Sequence, residues 1–213
     1  IEDAAQGFGG SIKGKKAGFF GNVATTSFFP AKPLGCYGDG GAIFTDDEDL
    51  AMIMKSIRVH GSGSDKYENI RMGINGRLDT FQAAILLEKL SIFDEELILR
   101  NHVATYYTDN INPGFQKHFI PKEYNSSWAQ YSLLGKSELE RNNIMSNLKE
   151  SNIPSMIYYR IPLHLQRVFK KLGYARGDFP ISEKISSKIF SIPMHPYLNR
   201  TQQDKIIEVL NNE

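Results

Sequence analysis

Apolar positions recur at helical spacing most strongly between residues 79 and 110. Phe81, Ala84, Ile85, Leu86, Leu87 and Leu90 form one run from Asp79, and an amphipathic run follows from Asp94 to about Asn110. A shorter helix is predicted upstream: Asp46-Asp47-Glu48 supply acidic N-terminal residues, Leu50, Ile53, Met54 and Ile57 keep helical spacing, and His60-Gly61 stops it. The first 45 residues read differently. They are glycine-rich, with β-prone runs at Asn22 to Phe29 and Gly41 to Thr45 separated by turn residues, which predicts strands and tight loops. Gly61-Ser62-Gly63-Ser64-Asp65 and the polar text through Tyr67 to Arg77 read as an exposed excursion. Beyond Asn112-Pro113-Gly114 the pattern predicts a strand at Trp128 to Leu134, a helix at Ser137 to Ser151 and a strand at Pro154 to Tyr159. Shorter helices follow at Leu163 to Leu172, Ile181 to Phe190 and Thr201 to Asn211, the last with Thr201 as cap signal. No internal repeat or low-complexity tract interrupts the pattern. The change of texture divides the chain near residue 110, into a glycine-rich, site-building part with its connecting helices (1–110) and a smaller α+β unit (111–213).

Composition narrows the function classes. The chain has 213 residues, 41% hydrophobic and 23% charged, enough to bury a core without staples. With 25 Lys+Arg against 24 Asp+Glu the formal charge is +1, so nothing global favours nucleic acid or an anionic membrane, and small molecules or proteins are the expected partners. One cysteine, Cys36, forms no internal disulfide, which fits a reducing cytoplasm. The histidines at 60, 102, 118, 164 and 195 are never three to five apart, and no metal is expected. No apolar stretch of spanning length and no charged leader before an apolar run is visible. The chain opens Ile1-Glu2-Asp3-Ala4-Ala5-Gln6, without Met and like the end of a strand, which suggests sequence upstream.

Lys32 carries the most chemical information. It sits in Ser27-Phe28-Phe29-Pro30-Ala31-Lys32-Pro33-Leu34-Gly35, among apolar and turn residues rather than on an amphipathic helix. By composition alone it reads as a solvated surface lysine. In a desolvated pocket built by turns it would instead be a usable amine nucleophile. Asp3 allows two readings as well: a solvated or turn-capping acid, or a carboxylate that keeps a heterocyclic nitrogen protonated. Ser27, five residues before Lys32, has a hydroxyl suited to a phosphate oxygen.

Four ordered segments then carry a resemblance: Glu2-Asp3-Ala4-Ala5-Gln6; Ser27 to Lys32; Leu34-Gly35-Cys36-Tyr37-Gly38-Asp39-Gly40-Gly41-Ala42; and Gly73-Ile74-Asn75-Gly76-Arg77-Leu78-Asp79 with Gln82-Ala83-Ala84. The chain resembles, over essentially its whole length, the DegT/StrS family of nucleotide-sugar aminotransferases, which depend on pyridoxal 5'-phosphate (PLP). The resemblance implies an α/β PLP-dependent transferase fold of type I, here the second part of the large domain, followed by a small α+β C-terminal domain. It further implies that Lys32 covalently carries the cofactor, Asp3 pairs with its pyridine nitrogen, Gln6 lies against its ring and Ser27 holds its phosphate. Asn75 would reach the phosphate, and Arg77 the substrate, of a partner subunit, which implies a homodimer with shared sites. Tyr158-Tyr159-Arg160-Ile161-Pro162-Leu163-His164 resembles a family segment whose aromatic and His side chains approach the sugar nucleotide, so Tyr158, Tyr159 and His164 are candidate substrate contacts; Arg160 stands where the family has Pro. Read alone, the tyrosines fit the two faces of a strand and His164 a helix start.

The implied activity moves an amino group, with glutamate the expected donor, to a keto sugar nucleotide for surface polysaccharide synthesis. The wording Val59-His60-Gly61, Lys66-Tyr67, Asn69-Ile70-Arg71 and Gly76 to Thr80 resembles members acting on UDP-linked 3-keto-N-acetylglucosaminuronate. Arg77 would then meet an acidic sugar group, although it equally suits a pyrophosphate or a helix cap. A 4-keto-6-deoxy sugar nucleotide is the alternative acceptor, and a non-catalytic fragment or assembly subunit the alternative class. Lys32 itself argues against the family's dehydratases, which carry His there. Competing motifs fail on spacing: Gly7-Phe8-Gly9-Gly10 and Gly38-Asp39-Gly40-Gly41 do not complete a dinucleotide fingerprint, and Gly61-Ser62-Gly63-Ser64 is not a nucleophile elbow. His195, between Met194 and Pro196, reads as a structural turn residue, and Cys36 as a packed one.

Overall fold

The structure, a computed structural model, describes residues 1–65 and 67–212, and Lys66, which belongs to one of the segments above, lies outside the described residues. Contacts along the chain define two compact units, Ile1–Leu97 with Pro121–Ala129, and Ile98–Ile120 with Gln130–Glu213. The sequence suggests a single cut near residue 110. The contacts instead interleave the units, because the segment around Tyr124 returns to pair with the first one.

In the first unit, β1 (Glu2–Asp3) runs parallel to β4 (Ala24–Ser27), which pairs antiparallel with β5 (Gly41–Phe44), giving the order β1-β4-β5. Strands β2 (Ser11–Ile12) and β3 (Lys15–Lys16) form a tight hairpin, and β6 (Tyr124–Asn125) adds to its β2 edge. The β-prone run at 22–29 thus contracts to four residues, because the chain turns once Phe28 has bonded Gly40. Helix α1 (Glu48–Arg58) begins where expected, with Asp47 Oδ1 accepting the Leu50 N–H at 2.9 Å and with Lys55 and Arg58 in its last turn. It ends at Arg58, and the chain turns at His60 and Gly61, both with positive φ; a Cβ on Gly61 would lie 1.8 Å from the Arg71 carbonyl oxygen. The excursion is exposed, as expected, and is tied down by bridges Val59↔Asn75 and Ser62↔Asn69. Helices α2 (Thr80–Ser91) and α3 (Phe93–Asn110) follow the two helical runs.

The first unit's core gathers Leu34, Cys36, Leu86, Phe93 and Leu97, with Phe8, Phe28 and Leu78 against it. Phe8 ties the elements together: its ring stacks on Phe44 of β5 at 6.0 Å and on Phe93 of α3 at 5.7 Å, and meets Phe28 edge-on at 6.4 Å.

In the second unit, β7 (Tyr131–Leu134) pairs antiparallel with β8 (Ile189–Ile192) in the register Tyr131↔Ile192 and Leu133↔Phe190. Helices α4 (Glu138–Glu150), α5 (Pro180–Lys188) and α6 (Arg200–Asn211) accompany them. Four expectations need correction. The strand expected at 154–159 shrinks to one bridge, Met156↔Ser191, since Pro154 has no N–H to donate and the chain turns away after Met156. The helix expected through Phe190 stops at Lys188, because Phe190 and Ile192 are buried as strand residues against β7. The run 163–172 is two 3-10 segments, Leu163–Leu165 and Arg167–Leu172, broken where Gln166 is extended. Helix α6 is capped by Asn199 rather than Thr201, in a capping box with Gln202: Gln202 N–H donates to Asn199 Oδ1 at 2.9 Å and Asn199 N–H to Gln202 Oε1 at 3.0 Å.

Arg141 of α4 is 1% exposed. Its guanidinium donates to the Ser186 and Ile189 carbonyls at 3.5 and 3.4 Å and pairs with Glu138 at 3.2 Å, so one charge ties α4 to the end of α5 and the start of β8. Arg141→Ala would strip these buried carbonyls of their donor and leave a void, at a cost of about 2–4 kcal/mol. Calorimetry on the intact protein is expected to show a melting temperature lower by roughly 5–15 °C; an unchanged melting temperature would mean the guanidinium is no tie.

Candidate active site

Parallel pairing sets the first group of candidate residues. Asp3 is opposite Thr25, and Ser27 lies two residues further along β4, so Asp3, Thr25 and Ser27 share one face of the β1-β4-β5 sheet. The other face carries Ala24 and Thr26 into the core. Asp3 is exposed at the strand end, with Oδ1 accepting the Ala5 N–H at 3.0 Å; Gln6 follows in the next turn, also exposed. Ser27 Oγ accepts the Phe29 N–H at 3.2 Å.

Lys32 is half-buried on the loop that leaves β4. The neck of that loop is closed by Phe28, whose N–H donates to Gly40 at 2.8 Å and whose carbonyl accepts the Cys36 N–H at 2.8 Å and the Cys36 thiol at 3.0 Å. Cys36 is packed, as its surroundings suggested. A Cβ on Gly35 would fall 2.6 Å from the Pro30 carbonyl oxygen, so only glycine lets the loop fold back on itself. Helix α2 holds the loop from one side: Gln82 Oε1 accepts the Tyr37 N–H at 2.8 Å and the Lys89 ammonium donates to the Gly35 carbonyl at 2.5 Å. Among the described residues the Lys32 amine has no hydrogen-bond or ion-pair partner.

Asn75 and Arg77 form a second group. Arg77 Nε donates to Asn75 Oδ1 at 3.0 Å, both residues are exposed, and no hydrogen bond joins them to Asp3, Gln6, Ser27 or Lys32. Arg77 lines a cavity of about 1070 Å³ along β4 and β5, with Thr25, Phe28, Ile43 and Arg58; it is alone among the sequence-predicted residues in doing so. Tyr158, Tyr159 and His164 form a third group in the second unit, around a cavity of about 720 Å³. Among the described residues no cluster of His, Cys, Asp and Glu could hold a metal, and no helix is long and apolar enough to cross a membrane.

Three supporting residues were not singled out from the sequence. Gln82 and Lys89 stand in the α2 pattern, where nothing marks them as clamps. Glu2 stands in the first quoted segment with no role of its own. Its carboxylate accepts three backbone N–H groups, from Gly18 at 2.7 Å, Phe20 at 2.8 Å and Gly21 at 3.3 Å, and so pins a glycine loop to the strand that carries Asp3. The Gly18 bond is the first cause, ahead of opposing burial, that holds the Glu2 carboxyl below the ordinary carboxylate range.

A family model described as the DegT/DnrJ/EryC1/StrS aminotransferase family matches residues 1–211. UDP-2-acetamido-2-deoxy-3-oxo-D-glucuronate aminotransferase of Pseudomonas aeruginosa is 44% identical over 213 residues, which are 100% of this chain and 57% of that protein. The crystal structure of a DegT DnrJ EryC1 StrS aminotransferase from Brucella abortus superposes with a TM-score of 0.94 at 48% identity, over 100% of this chain and 56% of that one. Streptomyces venezuelae DesV, solved in complex with a ketimine intermediate, gives 0.91 at 31% identity over 98% of this chain and 56% of its own. The chain thus spans little more than half the length of the relatives it matches.

A depressed Glu2 pKa stabilises the fold fully above the unfolded carboxylate pKa, and that stability is lost as pH falls through the lower folded value. Glu2→Gln is expected to flatten this acid limb in melting temperatures measured from neutral pH downward. An acid limb identical to wild type would remove Glu2 from the account.

Proposed function

The chain belongs to the DegT/DnrJ/EryC1/StrS aminotransferase family, and from that membership we propose that its protein moves an amino group from an amino acid, glutamate in our reading, to a keto sugar nucleotide. The 44% identity to the Pseudomonas aeruginosa enzyme supports a UDP-linked 3-oxo-glucuronate acceptor in particular. The product would be the amino sugar nucleotide and glutamate would leave as 2-oxoglutarate, so the exchange balances without an added oxidant. Surface polysaccharide synthesis is the use we assign, in the cytoplasm and by a homodimer.

One observation carries the reading: the β1–β4 register puts Asp3 and Ser27 on one face, and the loop leaving β4 carries a half-buried, unpaired amine. That set fits PLP. Asp3 supplies an ionisable acid for the ring nitrogen, Ser27 a hydroxyl for the phosphate and Gln6 a side chain for the ring. When bound, the cofactor supplies an electron sink. The protein's own work is the rest. Asp3 would keep a proton on the ring nitrogen. Lys32 would hold the cofactor through Nζ, and the same nitrogen, when free, would serve as the base that moves a proton. Arg77 offers a fork for a carboxylate or pyrophosphate, and Tyr158, Tyr159 and His164 border the place we assign to the sugar nucleotide. Asn75, hydrogen-bonded to Arg77, reaches the partner's cofactor phosphate in this reading.

Borohydride treatment of the intact protein with PLP, followed by peptide mapping, is expected to fix the label on Lys32, and Lys32→Ala to abolish it. A label on any other lysine, or none, defeats the proposal. Asp3→Asn is expected to slow both half-reactions by about two orders of magnitude or more, from the weight such proton-holding groups usually carry. Unchanged single-turnover rates would take Asp3 out of the chemistry.

A further inference from the structure

The second unit contains a buried His–Glu pair whose acid neither the motifs nor the reading above uses. Glu183 of α5 faces His164, with Oε1 3.0 Å from Nε2, and the two side chains are only 11% and 8% exposed. The same oxygen accepts the Gly177 N–H at 2.8 Å, and the Arg176 guanidinium lies 4.0 Å from Oε2. The imidazole is fixed from its face too: Phe179 lies 4.7 Å away, centroid to centroid, and Tyr174 in turn packs edge-on against Phe179 at 5.1 Å. Among the described residues the bond to Glu183 is the ring's one hydrogen bond. His164, Tyr158, Tyr159, Phe169, Tyr174 and Phe179 all line the 720 Å³ cavity, a size in the usual range for a small organic ligand.

The chemistry of the pair is one-sided. The Gly177 N–H, the leading cause, holds the Glu183 carboxyl below its ordinary range, and a carboxylate has only lone pairs to offer. Nε2 must therefore carry the hydrogen between them, and the other nitrogen of a neutral ring is then an acceptor. A largely apolar lining that includes these six rings can take a flat ring and is a poor host for phosphate charges. Uracil and thymine present such a ring with an N–H donor at N3. We propose that Glu183 is a positioning residue that fixes His164 as the Nε2-protonated imidazole, so that Nδ1 receives the N3–H of a pyrimidine base held among the cavity's aromatic rings. The base assignment rests on the nucleotide-sugar reading above; the tautomer assignment does not.

The test is nitrogen NMR on the intact protein with labelled histidine, titrated with uridine and, separately, with inorganic pyrophosphate. His164 is expected to show the Nε2–H form, its Nδ1 to shift with uridine and not with pyrophosphate, and Glu183→Leu, which has no acceptor, to lose the single form and weaken uridine binding at least tenfold. Glu183→Gln, whose amide oxygen still accepts, should recover much of both, with circular dichroism verifying each variant's fold. An Nδ1–H form in the wild type, or a Leu variant unchanged in tautomer and affinity, overturns the positioning role. A locked tautomer with uridine unbound, or moved by pyrophosphate alone, overturns the base assignment. The borohydride label on Lys32 decides the aminotransferase reading separately, so the two can fail independently.

Discussion

The backbone of Phe28 is the constraint on which the first unit's candidate site depends. Its N–H reaches Gly40 and its carbonyl receives both the amide and the thiol of Cys36, so the loop bearing Lys32 leaves and re-enters the structure through one residue. Such a neck is possible only where backbones come close, and Gly35 meets that need, since a Cβ there would strike the Pro30 carbonyl. The Phe28 side chain meanwhile packs against the core that Phe8 organises, so the same residue closes the loop and roots it. A lysine on a free loop would sample many positions. On a closed loop clamped by Gln82 and Lys89 it gives up that freedom when the chain folds, and a ligand that needs its amine has less entropy to overcome.

Strand pairing does the complementary work for the acids. Glu2 and Asp3 are neighbours, and the pleat sends them to opposite faces. Glu2 turns to the loop and is satisfied by three amides, whereas Asp3 stays exposed on the face of Ser27. Shifting β1 by one residue against β4 would exchange their places, putting the clamp on the site face and the site acid under the loop. The three amides that hold Glu2 oppose such a slip, because they would lose their acceptor.

The sequence was most informative where chemistry and backbone coincide. Helix α1 was legible from Asp47 to His60 because cap, apolar spacing and terminal charges all agree. The 79–110 region was legible from its apolar spacing. Short strands were not: a run such as 154–159 is apolar and aromatic enough for a strand, and only the meeting of Met156 with Ser191 decides that one bridge forms. Phe190 fitted a helical stripe equally well until β7 supplied a partner. The candidate site divides in the same way. Lys32, Asp3 and Ser27 stood out through their neighbours, but Gln82, Lys89 and Glu183 act through contacts 45, 54 and 19 residues away, which no local spacing encodes.

A common device runs through these groups. Glu2 is held by Gly18, Phe20 and Gly21, Asp3 by Ala5 and Ser27 by Phe29, in every case through a backbone N–H. Amides cannot change charge, so they fix an oxygen without competing for protons, and at Glu2 they favour the ionised form. Had side-chain cations done this work, the acids would sit in ion pairs and Lys32 would be one of the obvious partners. With the acids satisfied by the main chain, the one amine on the clamped loop is left uncommitted. That is the state in which a lysine can serve as a nucleophile rather than as a counter-ion.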